Sequence, residues 1–326
     1  MKRNFLLAFI GLFLISLFAD QMNPYYYHIL LFMGINMILA VSLNLINGFT
    51  GQFSLGHAGF MGIGAYVSAI LTTYLTTHGW AMDGVAGVVV MFVGLLGGGL
   101  VAALAGLGVG IPSLRLRGDY LAIVTLGFNE IIRVIIQNVD FNIDGTNYVG
   151  GARGFSVPQL ANFMWVFSVV LIVVFVVQNL VNSTYGRGFL AVRDDEVAAE
   201  AMGVDTTKFK VRAFVIGAFF AGVGGGLFAH RINTLTPDEF TFLISINIVV
   251  MVILGGMGST FGVIVAAVLL TVLSEVLREF SQARMIIYSF LLIIMMIARP
   301  QGLFGPETLS RFLKRRGRTV APKPIT

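Results

Sequence analysis

Residues 84–111 read GVAGVVVMFVGLLGGGLVAALAGLGVGI, 28 positions without a charged side chain. About 20 apolar residues in a helix cross the roughly 30 Å of hydrocarbon in a bilayer. This stretch therefore spans a membrane with residues to spare, tilted or broken. Nine further apolar runs lie near 5–19, 26–46, 57–77, 119–138, 160–181, 211–230, 241–256, 259–277 and 285–299. The expected fold is an all-α polytopic membrane protein of about ten transmembrane helices. Composition agrees. Of 326 residues, 57% are hydrophobic and only 11% charged, and the mean hydropathy is +0.88. A soluble domain carries about 25% charged residues, so lipid must cover most of this surface. Cysteine is absent, which excludes disulfides, thiolate metal sites and cysteine nucleophiles.

The net charge of +5 could point to nucleic acid, but the basic residues sit beside apolar spans and anchor them. With the N-terminus inside, sixteen of the twenty-one Lys and Arg fall in cytoplasmic segments: Lys2, Arg3, Arg115, Arg117, Arg187, Arg193, Lys208, Lys210, Arg212 and the group from Arg299 to Lys323. Four lie outside, at Arg153, Arg231, Arg278 and Arg284, and Arg133 falls within a span. That bias gives both termini inside and an even number of spans. Lys2-Arg3 before a short apolar run also has the form of a signal peptide, but Leu17 makes a poor cleavage site ahead of Ala19, and a retained first helix is preferred. The chain then comprises one transmembrane domain, residues 1–310, and a basic cytoplasmic tail, 311–326.

Small residues let membrane helices approach closely, and the pairs Gly94/Gly98, Gly106/Gly110, Gly222/Gly226 and Gly258/Gly262 have that spacing. Neither a dinucleotide fingerprint nor a phosphate loop is present, so any nucleotide that drives this chain is bound by another. Two clusters differ from the helical pairs: Asn47-Gly-Phe-Thr-Gly-Gln-Phe-Ser-Leu-Gly-His-Ala-Gly59 and Leu254-Gly-Gly-Met-Gly-Ser-Thr-Phe-Gly262. Several glycines together weaken a helix. Both clusters are either short turns between spans or broken helices at the solute's path. In the second case Asn47, Gln52, Ser54 and His57 border that path, with Asn129 and Glu130 on the fifth span. Ionisable groups inside a span are functional candidates by default. Glu130 and Arg133 share a helix face and can pair, either to orient the helix or to meet solute. Asn36, Asn44, Asn247 and Glu275 are weaker candidates, and four scattered histidines give no metal-site spacing.

The polar stretch 186–212 carries a short helix. Asp194 or Asp195 caps its start, Glu196 suits its first turn, Ala198, Ala199, Ala201 and Met202 continue it, and Gly203 ends it. Asp205 then caps the next span. Such a helix, small-sided and flanked by charge, suits a groove in another protein or a solvated connection.

Asn47–Phe60 resembles the signature of branched-chain amino-acid ABC importer permeases of the LivM type. Arg115-Leu-Arg-Gly-Asp-Tyr-Leu-Ala-Ile-Val-Thr-Leu126, Arg193-Asp-Asp-Glu-Val-Ala-Ala-Glu-Ala-Met-Gly203, Leu254–Gly258 and Arg299-Pro-Gln-Gly-Leu-Phe-Gly305 resemble its later motifs in the same order. The resemblance implies a multi-pass subunit of the bacterial inner membrane, not itself an enzyme. It implies a fold similar to the ten-helix, vitamin B12-class importer permeases. It also implies a second related permease, two cytoplasmic ATPases that bind ATP and Mg, and a periplasmic amino-acid-binding protein. The 186–212 loop then resembles the coupling helix seated in an ATPase. Arg193, Asp195, Glu196, Ala198, Ala199, Glu200 and Gly203 are its candidate residues. Ala198-Ala199-x-x-x-Gly203 fits the general pattern, while Val197 stands where that pattern has Glu, so Glu196 or Glu200 is left for the acid's role. The competing class, a stand-alone secondary transporter or channel, needs paired acids in the core, for which only Glu130 and Glu275 are available.

Overall fold

A computed structural model describes residues 16, 22–82, 84–113, 119–143, 146, 147, 149–280, 286, 289, 290, 293 and 294. The expected spans at 5–19 and 285–299 fall almost wholly outside them, as do residues 115–118 and 299–305 and the tail 311–326. Helix α1 (Pro24–Asn44) starts at Asn23, whose side chain accepts from the Tyr25 amide at 2.9 Å, with proline at the first helical position. Its last turn widens into a π-helical segment, Leu45–Phe49. Then follow α2 (His57–Thr77), α3 (Gly84–Ser113), α4 (Asp119–Asn138), α5 (Phe163–Val181), α6 (Thr184–Asp194), α7 (Glu196–Ala201), α8 (Thr206–Ala229), α9 (Phe242–Gly255) and α10 (Thr260–Val276).

Among the described residues, seven helical segments are long and apolar enough to cross a membrane: 24–49, 57–77, 84–113, 120–138, 163–181, 206–229 and 237–255. Helix α10 is apolar but shorter, at 17 residues. Eight of the ten expected runs are thus helices. The seventh begins five residues earlier than hydropathy suggests, because Asp205 caps it and Lys208, Lys210 and Arg212 fill its first turns without breaking it.

Helices α2, α3 and α8 pack most closely, at glycine. A Cβ on Gly64 would collide with the Gly222 backbone, and one on Gly225 with the Met61 carbonyl. A Cβ on Gly222 would sit 2.8 Å from the Gly98 carbonyl oxygen, and one on Gly226 2.8 Å from Leu95. Gly94 faces Ser68 and Thr72 in the same way. Two spacings read from the sequence, Gly94/Gly98 and Gly222/Gly226, therefore face neighbouring helices, and Gly106 of a third lies against Ala218. Gly258 is the exception: it lies in the turn before α10 at φ +83° and forms no helix face with Gly262. Helix α1 packs on this trio and is flanked by α5, α9 and α10. Val85, Val88, Phe92, Leu100, Leu104 and Ile111 leave one side of α3 exposed and apolar, as a lipid-facing surface requires.

Because successive spans alternate in direction, the connections sort to two ends. One end holds short strands β1 (Asn142–Ile143) and β2 (Thr146–Asn147), which pair with each other, and β3 (Phe155–Ser156), which pairs with β4 (Thr234–Leu235). There His230 closes onto the 158–162 loop. Its Nδ1 lies 2.8 Å from the Pro158 carbonyl, which can only accept, so Nδ1 carries the proton and Nε2 accepts from Ser68 at 3.2 Å. The other end holds residues 50–56, α6, α7 and the turn 256–259.

Backbone contact at glycine sets a sharp expectation. Gly64→Val adds two methyl groups beyond a Cβ that already has no room, and overpacking costs about 1–3 kcal/mol or more. It should lower the melting temperature of the detergent-solubilised protein or abolish a monodisperse peak. Gly108→Ala, whose Cβ meets nothing within 4 Å, should behave as the parent.

Candidate functional site

The two glycine clusters meet. After α1, Thr50 Oγ1 donates to the Ile46 carbonyl at 2.7 Å and the Gln52 amide to the same oxygen at 3.1 Å. These bonds satisfy carbonyls that a helix end leaves open. Gly51 then turns the chain at φ +68°. Residues 52–56 run on under side chains from elsewhere in the bundle. Asn47 Oδ1 accepts from the Ser54 amide at 3.3 Å, Thr125 Oγ1 from the Leu55 amide at 3.0 Å and Ser245 Oγ from the Ala58 amide at 2.9 Å. The second cluster is a tight turn between α9 and α10, with Gly256 at φ +98° and Gly258 at φ +83°, and Ser259 Oγ accepting from the Gly262 amide. The Gly258 amide donates to Asn44 Oδ1 at 2.9 Å. A Cβ on Gly48 would collide with that amide and with Asn44. Both clusters are turns between separate helices, and they form one joint.

The 182–205 loop closes over this joint. The sequence suggests one short helix there; the structure has two, broken at Asp195. Helix α6 is easy to miss, since its own sequence holds Gly186 and Gly188 and Ser183 caps it. Asp195 Oδ1 accepts from the amides of Val197 and Ala198 at 2.9 and 3.0 Å, and Gly203 leaves α7 at φ +84°. Ala199 is buried. Glu196 holds Lys210 Nζ at 2.6 Å, with Lys210 only 8% exposed, and Glu200 Oε1 accepts from Thr206 at 2.8 Å. Both acids thus bond within their own chain, Glu196 half-buried and Glu200 exposed. Ala198 and Gly203 are exposed, and the large exposed apolar side chains on α7 and its exit are Val197 at 62% and Met202 at 84%. Asp205 caps α8 and bonds Lys208, which holds its carboxyl below the usual range.

Arg193 is the link between loop and joint. Nε and Nη2 donate to Asp194 at 3.1 and 2.9 Å, and Nη1 reaches the Gly48 carbonyl at 3.5 Å. A Cβ on Gly51 would lie 3.0 Å from Arg193 Cγ, and one on Gly258 3.1 Å from Nη1. From α8, the Lys210 carbonyl accepts from Gln52 Nε2 at 3.4 Å.

Asn47, Gln52, Ser54, His57 and Asn129 are buried. The first four line one continuous segment. Asn129 lies against Gly59 and donates to the Phe240 carbonyl at 3.4 Å. Glu130, on the same helix, pairs with Arg133 at 2.8 Å, and Arg133 reaches Asp238 at 3.6 Å. Glu130 and Arg133 keep part of their surface exposed. Five buried polar atoms of the candidate residues, counting Asn44 beside them, find no hydrogen-bond partner among the described residues: Asn44 Nδ2, Asn47 Nδ2, Gln52 Oε1, His57 Nδ1 and Asn129 Oδ1. Open space lies elsewhere, in a cleft of about 380 Å³ between α1, α9 and α10, where Asn36, Asn247, Thr271 and Glu275 face Phe32, Phe228 and Met251. Asn36 Nδ2 donates to Thr271 at 2.9 Å. Each of these polar side chains is a weak signal alone; their convergence from three helices is what the sequence cannot show. Among the described residues no cluster of His, Asp and Glu could hold a metal ion.

A family model described as branched-chain amino acid transport system / permease component matches residues 25–299. The chain is 38% identical over 304 residues to the high-affinity branched-chain amino acid transport system permease protein LivM of Salmonella typhimurium and to that of Escherichia coli K12. The alignment covers 82% of this chain and 67% of each relative. It is 23% identical to the E. coli permease protein LivH, over 83% of this chain and 91% of that relative. No solved structure matches.

The Lys210–Glu196 pair fixes α7 to α8. Replacing Lys210 with Met leaves Glu196 without its cation, at a cost of about 1–3 kcal/mol, since Glu196 keeps part of its surface in solvent. Amide exchange over residues 196–201 should rise in Lys210→Met while α2 and α3 keep parent protection; unchanged exchange in 196–201 would discount the pair.

Proposed function

Since the chain belongs to the branched-chain amino acid transport permease family, we propose that it is the membrane subunit of an ATP-driven importer that moves leucine, isoleucine or valine, or a similar small polar solute, into the cytoplasm. The end of the bundle holding α6 and α7 faces the cytoplasm, by the bias of Lys and Arg toward that end. Spans at 5–19 and 285–299 complete a ten-helix arrangement with both termini inside, as in the vitamin B12-class importer permeases, in the bacterial inner membrane. A second, related permease stands beside it. Two ATPases carry ATP and Mg, and a periplasmic binding protein delivers the solute. The relatives' names bear on the second permease, because LivM and LivH are both permease proteins of such systems.

The observation that carries the ATPase reading is α7. It is capped at one end and stopped at the other, pinned from behind by Lys210, and presents Val197 and Met202 outward. Exposed apolar side chains on a rigid, charge-flanked helix fit a protein groove. ATP binding draws the two ATPases together, α7 moves with them, and the bundle alternates between outward and inward access. The solute is driven only by its different affinities for those two states. A stand-alone secondary transporter fits less well: Glu130 is held by Arg133, and Glu275 accepts from Tyr25 and Arg278.

Co-expression with the ATPases and second permease tests this. The parent complex should co-purify and take up labelled leucine. Val197→Asp with Met202→Asp should lose ATPase association while the permease stays folded, and full association would sink α7 as the docking element. Glu130→Gln should assemble and transport more slowly if that pair borders the path; parent uptake removes it.

A further inference from the structure

We propose that Arg193 is a positioning residue that carries the motion of α7 into the membrane bundle by gripping both glycine turns at once. This rests on α7 being the element that docks the ATPase. Three contacts converge on this one side chain. Its Nη1 donates to the Gly48 carbonyl, one of the last carbonyls of a helix end, where partial negative charge favours a cation. Its stem lies on Gly51 and its guanidinium beside Gly258. The planar fork lets Nε and Nη2 hold Asp194 while Nη1 points the other way, which an ammonium on a single nitrogen does not do.

What Arg193 grips is itself a joint. Gly48 and Gly258 touch backbone to backbone, and the Asn44 bond to the Gly258 amide is the polar tie between them. Gly51, Gly256 and Gly258 hold left-handed backbone that other residues rarely adopt. A second route from α7 arrives at the same place, through Glu196, Lys210 and the Gln52 side chain. The surrounding groups Asn44 Nδ2, Asn47 Nδ2, Gln52 Oε1 and His57 Nδ1 have no hydrogen-bond partner among the described residues, and a buried polar group left unpaired is costly. A second arrangement that pairs them would gain those hydrogen bonds and so offset what it gives up elsewhere, and coupling between distant sites requires an element with two arrangements. Arg193 ties α7 to that element.

The experiment uses the full complex in proteoliposomes, with leucine uptake and ATP hydrolysis measured on the same vesicles. Arg193→Ala should still co-purify with the ATPases, unlike Val197→Asp with Met202→Asp, and uptake per ATP hydrolysed should fall about tenfold, within the usual range of a coupling energy. Arg193→Lys, which can reach Gly48 but cannot also hold Asp194 in a fork, should recover part of that ratio. If Arg193→Ala loses the ATPases as the α7 variant does, Arg193 is a docking residue and the proposal falls. A parent-like ratio also overturns it. If Arg193→Ala does not fold, Gly51→Ala, which crowds the Arg193 stem, should lower the same ratio, and a parent-like ratio there counts against the grip. A parent complex that does not retain its ATPases removes the docking premise itself.

Discussion

Lipid supplies no hydrophobic force that draws one helix to another, so the molecule depends on how near its backbones can come. The contacts among Gly64, Gly98, Gly222, Gly225 and the Met61 carbonyl bring α2, α3 and α8 together at distances that leave no room for a Cβ. Dispersion over such surfaces is small per atom and large in sum. Everything else is hung on that trio: α1 lies against it, α5, α9 and α10 lie against α1, and the outer side of α3 is left to lipid.

The same residue type does a different job at the end of the bundle that holds α6 and α7. Within helices, glycine removes side chains so that backbones touch. At Gly51, Gly256 and Gly258 it permits left-handed turns, so two connections between spans pack into one small joint. That joint takes its polar ties from Asn44, Thr125 and Ser245, which belong to three different helices. The loop above is kept short and stiff by side-chain caps at Ser183, Asp195 and Asp205.

Hydropathy alone located the described spans, because one dominant force sets them. The runs expected at 57–77 and 119–138 are α2 and α4 with the same bounds. The cap at Asp205 and the stop at Gly203 were also legible, and the cap at Asp195 was one of two adjacent choices, since each depends on a few neighbouring residues. What escaped is non-local. The π-helical extension of α1 carries no local signal. The meeting of Gly48 with Gly258, the burial of Lys210 against Glu196, and the convergence of Asn36, Asn247, Thr271 and Glu275 on one cleft all join residues far apart in the chain. Glu196 and Glu200 bond to Lys210 and Thr206, both distant enough to escape a local reading, and Val197 and Met202 are the large apolar side chains exposed beside them.

Helix α8 holds Gly217, Gly222, Gly224, Gly225 and Gly226, and each glycine costs a helix about 1 kcal/mol relative to alanine. Taken alone it is a poor candidate for an independent rod in a bilayer. It is also synthesised after α2 and α3, whose paired surfaces form the groove that fits it. Biogenesis therefore has a direction: the early helices make the mould, and the glycine-rich latecomer takes its shape from them as it enters.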